Sequence, residues 1–145
     1  MNLSTHFTLA ELVESQTAIR KGIDNTPPPA AIAGLTRIAQ LLEEVRALVD
    51  GPITVSSGYR CPALNKAVGG AANSAHVLGL AADITAPGIT PQALAKMIQR
   101  AGLAFDQLIY EGSWVHIGLS AGAPRRQVLT ATFSGGRASY SVGIA

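Results

Sequence analysis

The stretch Ser74-Ala75-His76-Val77-Leu78-Gly79-Leu80-Ala81-Ala82-Asp83 places a histidine and an aspartate seven positions apart in an apolar run punctuated by glycine. With only three histidines and nine carboxylates among 145 residues, such a pair calls for a reason. Side chains alternate across a strand, so Leu80, Ala82 and Ile84 would share one face, and Ala81, Asp83 and Thr85 the other. Trp114-Val115-His116 repeats the arrangement further on, with Trp114, His116 and Gly118 opposite Val115, Ile117 and Leu119. Two strands are thus expected to present one metal-competent side chain each, opposite an apolar face.

Outward from this pair, the chain divides into short elements. Thr8-Leu9-Ala10-Glu11 has the form of a capping box opening a short helix that ends near Ser15. Gly22 to Pro29 is a loop, its prolines disfavouring helix before them. Ile32, Leu35, Ile38, Leu42, Val45 and Val49 recur at steps of three and four. They predict a longer helix with Glu43, Glu44 and Arg46 on its solvated face, stopped by Gly51-Pro52. Ile53 to Ser56 is a strand, and Pro62 opens a short helix ending at Gly69-Gly70. Thr90-Pro91 caps a helix that buries Leu94, Met97, Ile98 and Ala101 and stops at Gly102. Gln107 to Tyr110 is a strand, joined by a tight turn to the Trp114–His116 strand. The tail predicts one last strand over Val128 to Phe133, then a frayed terminus. Helices come mostly first and strands mostly later, which predicts an α+β domain with helices packed on a small, largely antiparallel sheet.

Composition narrows the function classes. A chain 48% hydrophobic and 14% charged can bury a core, and its length predicts one domain over residues 1–145. The net charge of +2 is mild and the basic residues are dispersed, which argues against nucleic acid and is compatible with an anionic cell wall. Cys61 is the only cysteine, so no internal disulfide forms and no thiolate-rich metal site is expected. Met1 to Phe7 lacks the basic and apolar regions of a secretory signal, and no apolar run reaches the roughly 18 residues of a membrane span. A monomer is expected.

His76, Asp83 and His116 together offer two imidazoles and a carboxylate, which suits a catalytic zinc with an open fourth position. The alternative for each is a hydrogen-bonded core or turn residue. Cys61 is an alternative nucleophile with His76 and Asp83, but nothing places a base beside it. His6 precedes the first helix cap as a surface or capping residue. Trp114 either walls the pocket or packs. Arg60, just past a strand end, is either a salt-bridged surface residue or a two-pronged receptor for a carboxylate.

The ordered pattern Ser74, His76, Gly79, Ala81, Asp83, then Trp114 and His116, preceded by Ser57-Gly58-Tyr59-Arg60, resembles peptidase family M15 over about residues 5 to 120. That family comprises zinc D-Ala-D-Ala carboxypeptidases and phage endolysins. The resemblance implies a hedgehog- or DD-peptidase-like fold, zinc held by His76, Asp83 and His116, and Arg60 and Ser74 in contact with a peptidoglycan stem peptide. It also implies hydrolysis of an amide bond in that peptide or its cross-link; with no secretory signal seen at Met1 to Phe7, the protein is expected to be made in the cytoplasm and to reach the wall by release or by delivery by another protein. In the dipeptidase branch a Glu three residues before the last histidine is the general base; here Ser113 stands there. Glu111, next to the turn-forming Gly112, is the substitute expected. The departure leaves an alternative, a non-catalytic zinc-containing wall-binding or phage structural protein, and a hedgehog-like interaction domain is a third reading.

Overall fold

A computed structural model describes the chain from Met1 to Ala145. Two short helices, α1 (Leu9–Val13) and α2 (Gln16–Lys21), precede the long α3 (Pro29–Val49); β1 (Thr54–Ser57), α4 (Pro62–Ala67) and a 3₁₀ turn (Ala75–Leu78) follow. Then come β2 (Ala81–Thr85), α5 (Pro91–Ala101), β3 (Gln107–Tyr110), β4 (Val115–Gly118), β5 (Gln127–Ser134) and β6 (Arg137–Val142). No helix is long and apolar enough to cross a membrane.

The six strands form one sheet in the order β1-β2-β4-β3-β5-β6, antiparallel throughout except for the β3–β5 pair. This is the α+β arrangement expected, and its register explains which face is which. Ala82 lies opposite Ile117, Ile84 opposite Val115, and Leu108 opposite Ile117. All five are buried in one cluster with Leu35, Ile38, Leu42 and Val45 of α3 and Leu94 and Ile98 of α5. Each such leucine, isoleucine or valine contributes about 1.5–3 kcal/mol by leaving water. Asp83 and His116 alternate to the opposite face, where they are direct neighbours.

Local signals act as the residues dictate. Thr8 and Glu11 form the reciprocal capping box, and Thr90 caps α5 at the Ala93 N–H. Several expectations need correction. Ser15 does not merely end the first helix; its hydroxyl caps α2. Glu43 is not a solvated residue of α3, because it accepts hydrogen bonds from the Ser4 hydroxyl and the His6 backbone and faces the His6 ring at 2.7 Å, tying the N-terminal loop to the helix. Ala101 is exposed and Met97 half-buried, with Ala95 buried instead. The tail is not one strand and a frayed end: Gly135 and Gly136, at φ 58° and 76°, form the two-residue turn of a β5–β6 hairpin.

The crossover into that hairpin is pinned by Asp106. Its carboxylate accepts from the Arg125 backbone N–H at 2.9 Å and from the guanidinium at 2.8–3.2 Å, while its carbonyl accepts from Gln127 N–H. The hydrogen bonds from Arg125 hold the Asp106 carboxyl below its ordinary range in spite of burial. A depressed carboxyl stabilises the fold above its unfolded pKa, and that contribution fades as pH falls through the lower folded value. Asp106→Asn should therefore lower stability at pH 7 by about 1–2 kcal/mol, since Arg125 is largely exposed and solvent-screened. The difference from wild type should shrink on acidification in urea titrations; a constant gap would show that charge is not involved.

The helical layer meets the site through glycines. A Cβ on Gly34 of α3 would lie 2.8 Å from the Gly79 carbonyl oxygen, and one on Gly79 would lie 2.4 Å from that of Ala31. Alanine in a helix interior normally stabilises by about 1 kcal/mol over glycine, but this overlap is with backbone and costs about 1–3 kcal/mol. Gly34→Ala should thus lower the thermal midpoint; an unchanged or higher midpoint would mean that the turn can move away from α3.

Candidate active site

The 3₁₀ turn holds His76 from several sides. The Ser74 hydroxyl accepts from the His76 N–H at 3.2 Å, Gly79 closes the turn at φ 71°, and the His76 carbonyl accepts from the Arg60 N–H at 3.1 Å. The ring Nδ1 lies 2.7 Å from the Gly58 carbonyl oxygen. A carbonyl can only accept, so Nδ1 carries the proton and the lone pair of the neutral ring is on Nε2. That Nε2 lies 3.3 Å from Asp83 Oδ1.

His116 completes the group from β4. Its Nδ1 is also 3.3 Å from Asp83 Oδ1, and its ring meets that of His76 edge to face at 5.1 Å. Gly118, on the same face two residues on, leaves the space beside His116 Nε2, where a Cβ would come within 3.4 Å. All three residues are buried: His76 is 3% exposed, Asp83 6% and His116 8%. A charge-assisted N–H to carboxylate bond would measure about 2.7–2.9 Å. The longer, equal separations instead set three lone-pair atoms around a common centre, all within 4.8 Å of one another, an arrangement that can hold a metal ion. Burial opposes the charge on Asp83; when the facing nitrogens carry protons rather than a metal, the hydrogen bonds and charge of His116 and His76 outweigh it and hold the carboxyl far below its usual range.

Asp83 has a second neighbour. Between Val55 and Ser57 a β-bulge breaks the β1–β2 register, and beyond it Arg60 reaches back, with Nη2 3.5 Å from Asp83 Oδ2. Its Nε donates to the Ser57 hydroxyl and its Nη1 to Asn65 Oδ1, both at 3.1 Å. Arg60, Ser57, Tyr59, Leu64, Asp83 and Trp114 line an open groove of about 400 Å³, whose far wall is Glu14 to Thr17 at the α1–α2 junction. Glu111 starts the β3–β4 turn, its N–H donating to the Trp114 carbonyl, with Gly112 at φ 80°. Burial, then the charge of Asp83, raises the Glu111 carboxyl above its ordinary range, opposed by His116, the Trp114 side chain and Arg60. Glu111 is thus within electrostatic reach of the His–Asp–His group, whereas Ser113 is exposed.

Residues 5–118 match the family described as Peptidase M15. The chain belongs to that family. It is also 35% identical over 107 residues to the zinc D-Ala-D-Ala carboxypeptidase of Streptomyces albus G, an alignment covering 74% of this chain and 41% of that protein. The chain thus spans about two fifths of the length of that relative.

In this M15 chain the motifs named from sequence come together unevenly. His76, Asp83 and His116 share one centre, with Arg60 on the other oxygen of Asp83. Ser74 caps the His76 turn and is not among the groove-lining residues. Trp114 lines the groove, its ring 6.5 Å from that of Phe133 on β5. Cys61 caps α4, its sulfur accepting from Leu64 N–H, and His6 is engaged with Glu43, remote from the centre. Sequence reasoning missed Ser57 and Asn65 as partners of Arg60 and the Glu14–Thr17 wall; the only signal for the first two was their nearness to Arg60 in the chain.

Metal binding tests the cluster directly. Chelator-treated protein should take up one divalent transition-metal ion per chain in calorimetric titration, and His76→Ala, Asp83→Ala or His116→Ala should each weaken uptake at least about 10-fold, the lower range for such losses. A variant that binds like wild type would remove its residue from the ligand set.

Proposed function

We propose that this chain is a zinc-dependent peptidase acting on an amide bond of the peptidoglycan stem peptide or cross-link, as a carboxypeptidase or an endolysin-like endopeptidase. The observation that carries the reading is the pair of imidazole nitrogens at 3.3 Å from one oxygen of buried Asp83, at the edge of a groove holding Arg60. Zinc bonds of about 2.0–2.1 Å in a tetrahedron separate ligand atoms by about 3.3–3.4 Å, the separation of both His76 Nε2 and His116 Nδ1 from Asp83 Oδ1. When bound, zinc lowers the pKa of water toward neutrality and polarises a carbonyl.

The remaining chemistry falls to the chain. Glu111, whose carboxyl feels the charges of Asp83, His116 and Arg60 and has a raised pKa, takes the proton of the attacking water and returns it to the leaving amine. Arg60 has five N–H donors, of which three are engaged by Ser57, Asn65 and Asp83; the others can meet a carbonyl or carboxylate of the peptide. Ser74 keeps His76 in place through the turn it caps. Support for the substrate class comes from the relative in Streptomyces albus G, whose name specifies D-Ala-D-Ala.

Ser113 in place of the usual Glu favours the non-catalytic wall-binding reading; the position of Glu111 favours turnover. Glu111→Gln keeps the shape and removes the basicity, so kcat on purified muropeptides should fall by about 10² to 10⁴, with zinc content unchanged. A variant with wild-type kcat would exclude Glu111 as base, and a zinc-loaded wild type inert on all stem peptides would favour the binding protein.

A further inference from the structure

Asn65 is buried, 4% exposed, and does not line the groove. Its side chain nevertheless joins two parts of the site. Oδ1 accepts from Arg60 Nη1 at 3.1 Å, and Nδ2 donates to the Ala71 carbonyl at 2.8 Å. A guanidinium only donates and a carbonyl only accepts, so both partners demand the same orientation of the amide. The Asn65 backbone carbonyl in turn accepts from Gly70 N–H at 2.8 Å. Gly70 closes over this contact: a Cβ there would lie 2.1 Å from Asn65 Oδ1 and 2.9 Å from Arg60 Nη1. The segment so anchored runs directly into Ser74 and the His76 turn.

We infer that Asn65 is a positioning residue that sets the aim of Arg60 into the groove and ties it to the loop carrying His76. The inference rests on the peptidase reading for its kinetic consequence, not for its geometry. Arg60 turns on flexible carbon–carbon bonds, and Ser57 and Asp83 hold only Nε and Nη2. Asn65 takes the remaining terminal nitrogen, so the plane of the guanidinium is fixed at all three of its nitrogens. The unengaged N–H groups are thereby directed before substrate arrives, which reduces the ordering cost of binding.

The test uses Asn65→Ala and Gly70→Ala, the second disturbing the same contact without removing either side chain, in wild-type and Arg60→Ala backgrounds. Hydrogen bonds to charged groups carry about 1.5–3 kcal/mol, so each variant should raise KM for a stem peptide about 10-fold or more, with kcat changed less than about twofold and metal content kept. In the Arg60→Ala background the same changes should alter KM by less than about twofold. The Arg60 Nε–H signal in nitrogen-15 NMR, assigned by its loss in Arg60→Ala, should shift in both variants. An unchanged signal in a folded variant, or an equally large KM effect without Arg60, overturns the inference. If wild type cleaves no stem peptide, the peptidase reading fails by itself, and the Nε–H signal still decides the role of Asn65. Should Asn65→Ala not fold, Gly70→Ala supplies the same readouts.

Discussion

A buried carboxylate is the constraint around which this molecule is built. Asp83 sits in the interior of the sheet with little water around it, and an isolated charge there would cost several kcal/mol. The chain meets that cost by surrounding it: a guanidinium faces one oxygen, and two imidazoles face the other, able to share a cation with it. Each partner arrives on a different element. His116 comes from the neighbouring strand in direct register, His76 from a 3₁₀ turn pressed on α3, and Arg60 from the loop past the β1 bulge. The polar face of the sheet is therefore assembled from the same alternation that supplies its apolar face.

That alternation is why so much could be read from sequence. The faces of β2 and β4 followed from period two alone, and the apolar stripe of α3 from period 3.6. What could not be read was tertiary in origin. Helix α2 buries only Ala18 and leaves Ile19 exposed, so it offers no stripe to recognise and owes its start to the Ser15 cap. Every residue of β6 is exposed, so burial leaves no pattern, and the Gly135-Gly136 turn was the sole mark of the hairpin. The link from Asp106 to Arg125 spans 19 positions and has no local signature.

The site divides along the same line. Ligand-type residues are few and their spacing is conspicuous, so His76, Asp83 and His116 could be picked out before any coordinates. Their supports are ordinary residues, a serine, an asparagine and three glycines, whose roles exist only once loops have folded back. Ser74 illustrates the difference: its motif position suggested substrate contact, and only the folded loop shows that its hydroxyl oxygen also caps the turn beneath His76.

The three members of the His–Asp–His group also differ in how firmly the fold holds them. Asp83 and His116 lie on β2 and β4, strands with hydrogen-bonded neighbours on both sides, whose amides are expected to open only with global unfolding. His76 rests on a four-residue turn kept in place by caps and by backbone contact with α3. Local opening of that turn, far less costly than breaking the sheet, would withdraw one nitrogen and leave the other two groups standing. The centre thus has a rigid half and a hinged half, and the hinge is held shut by the caps of the turn together with the contact between a helix glycine and a turn glycine.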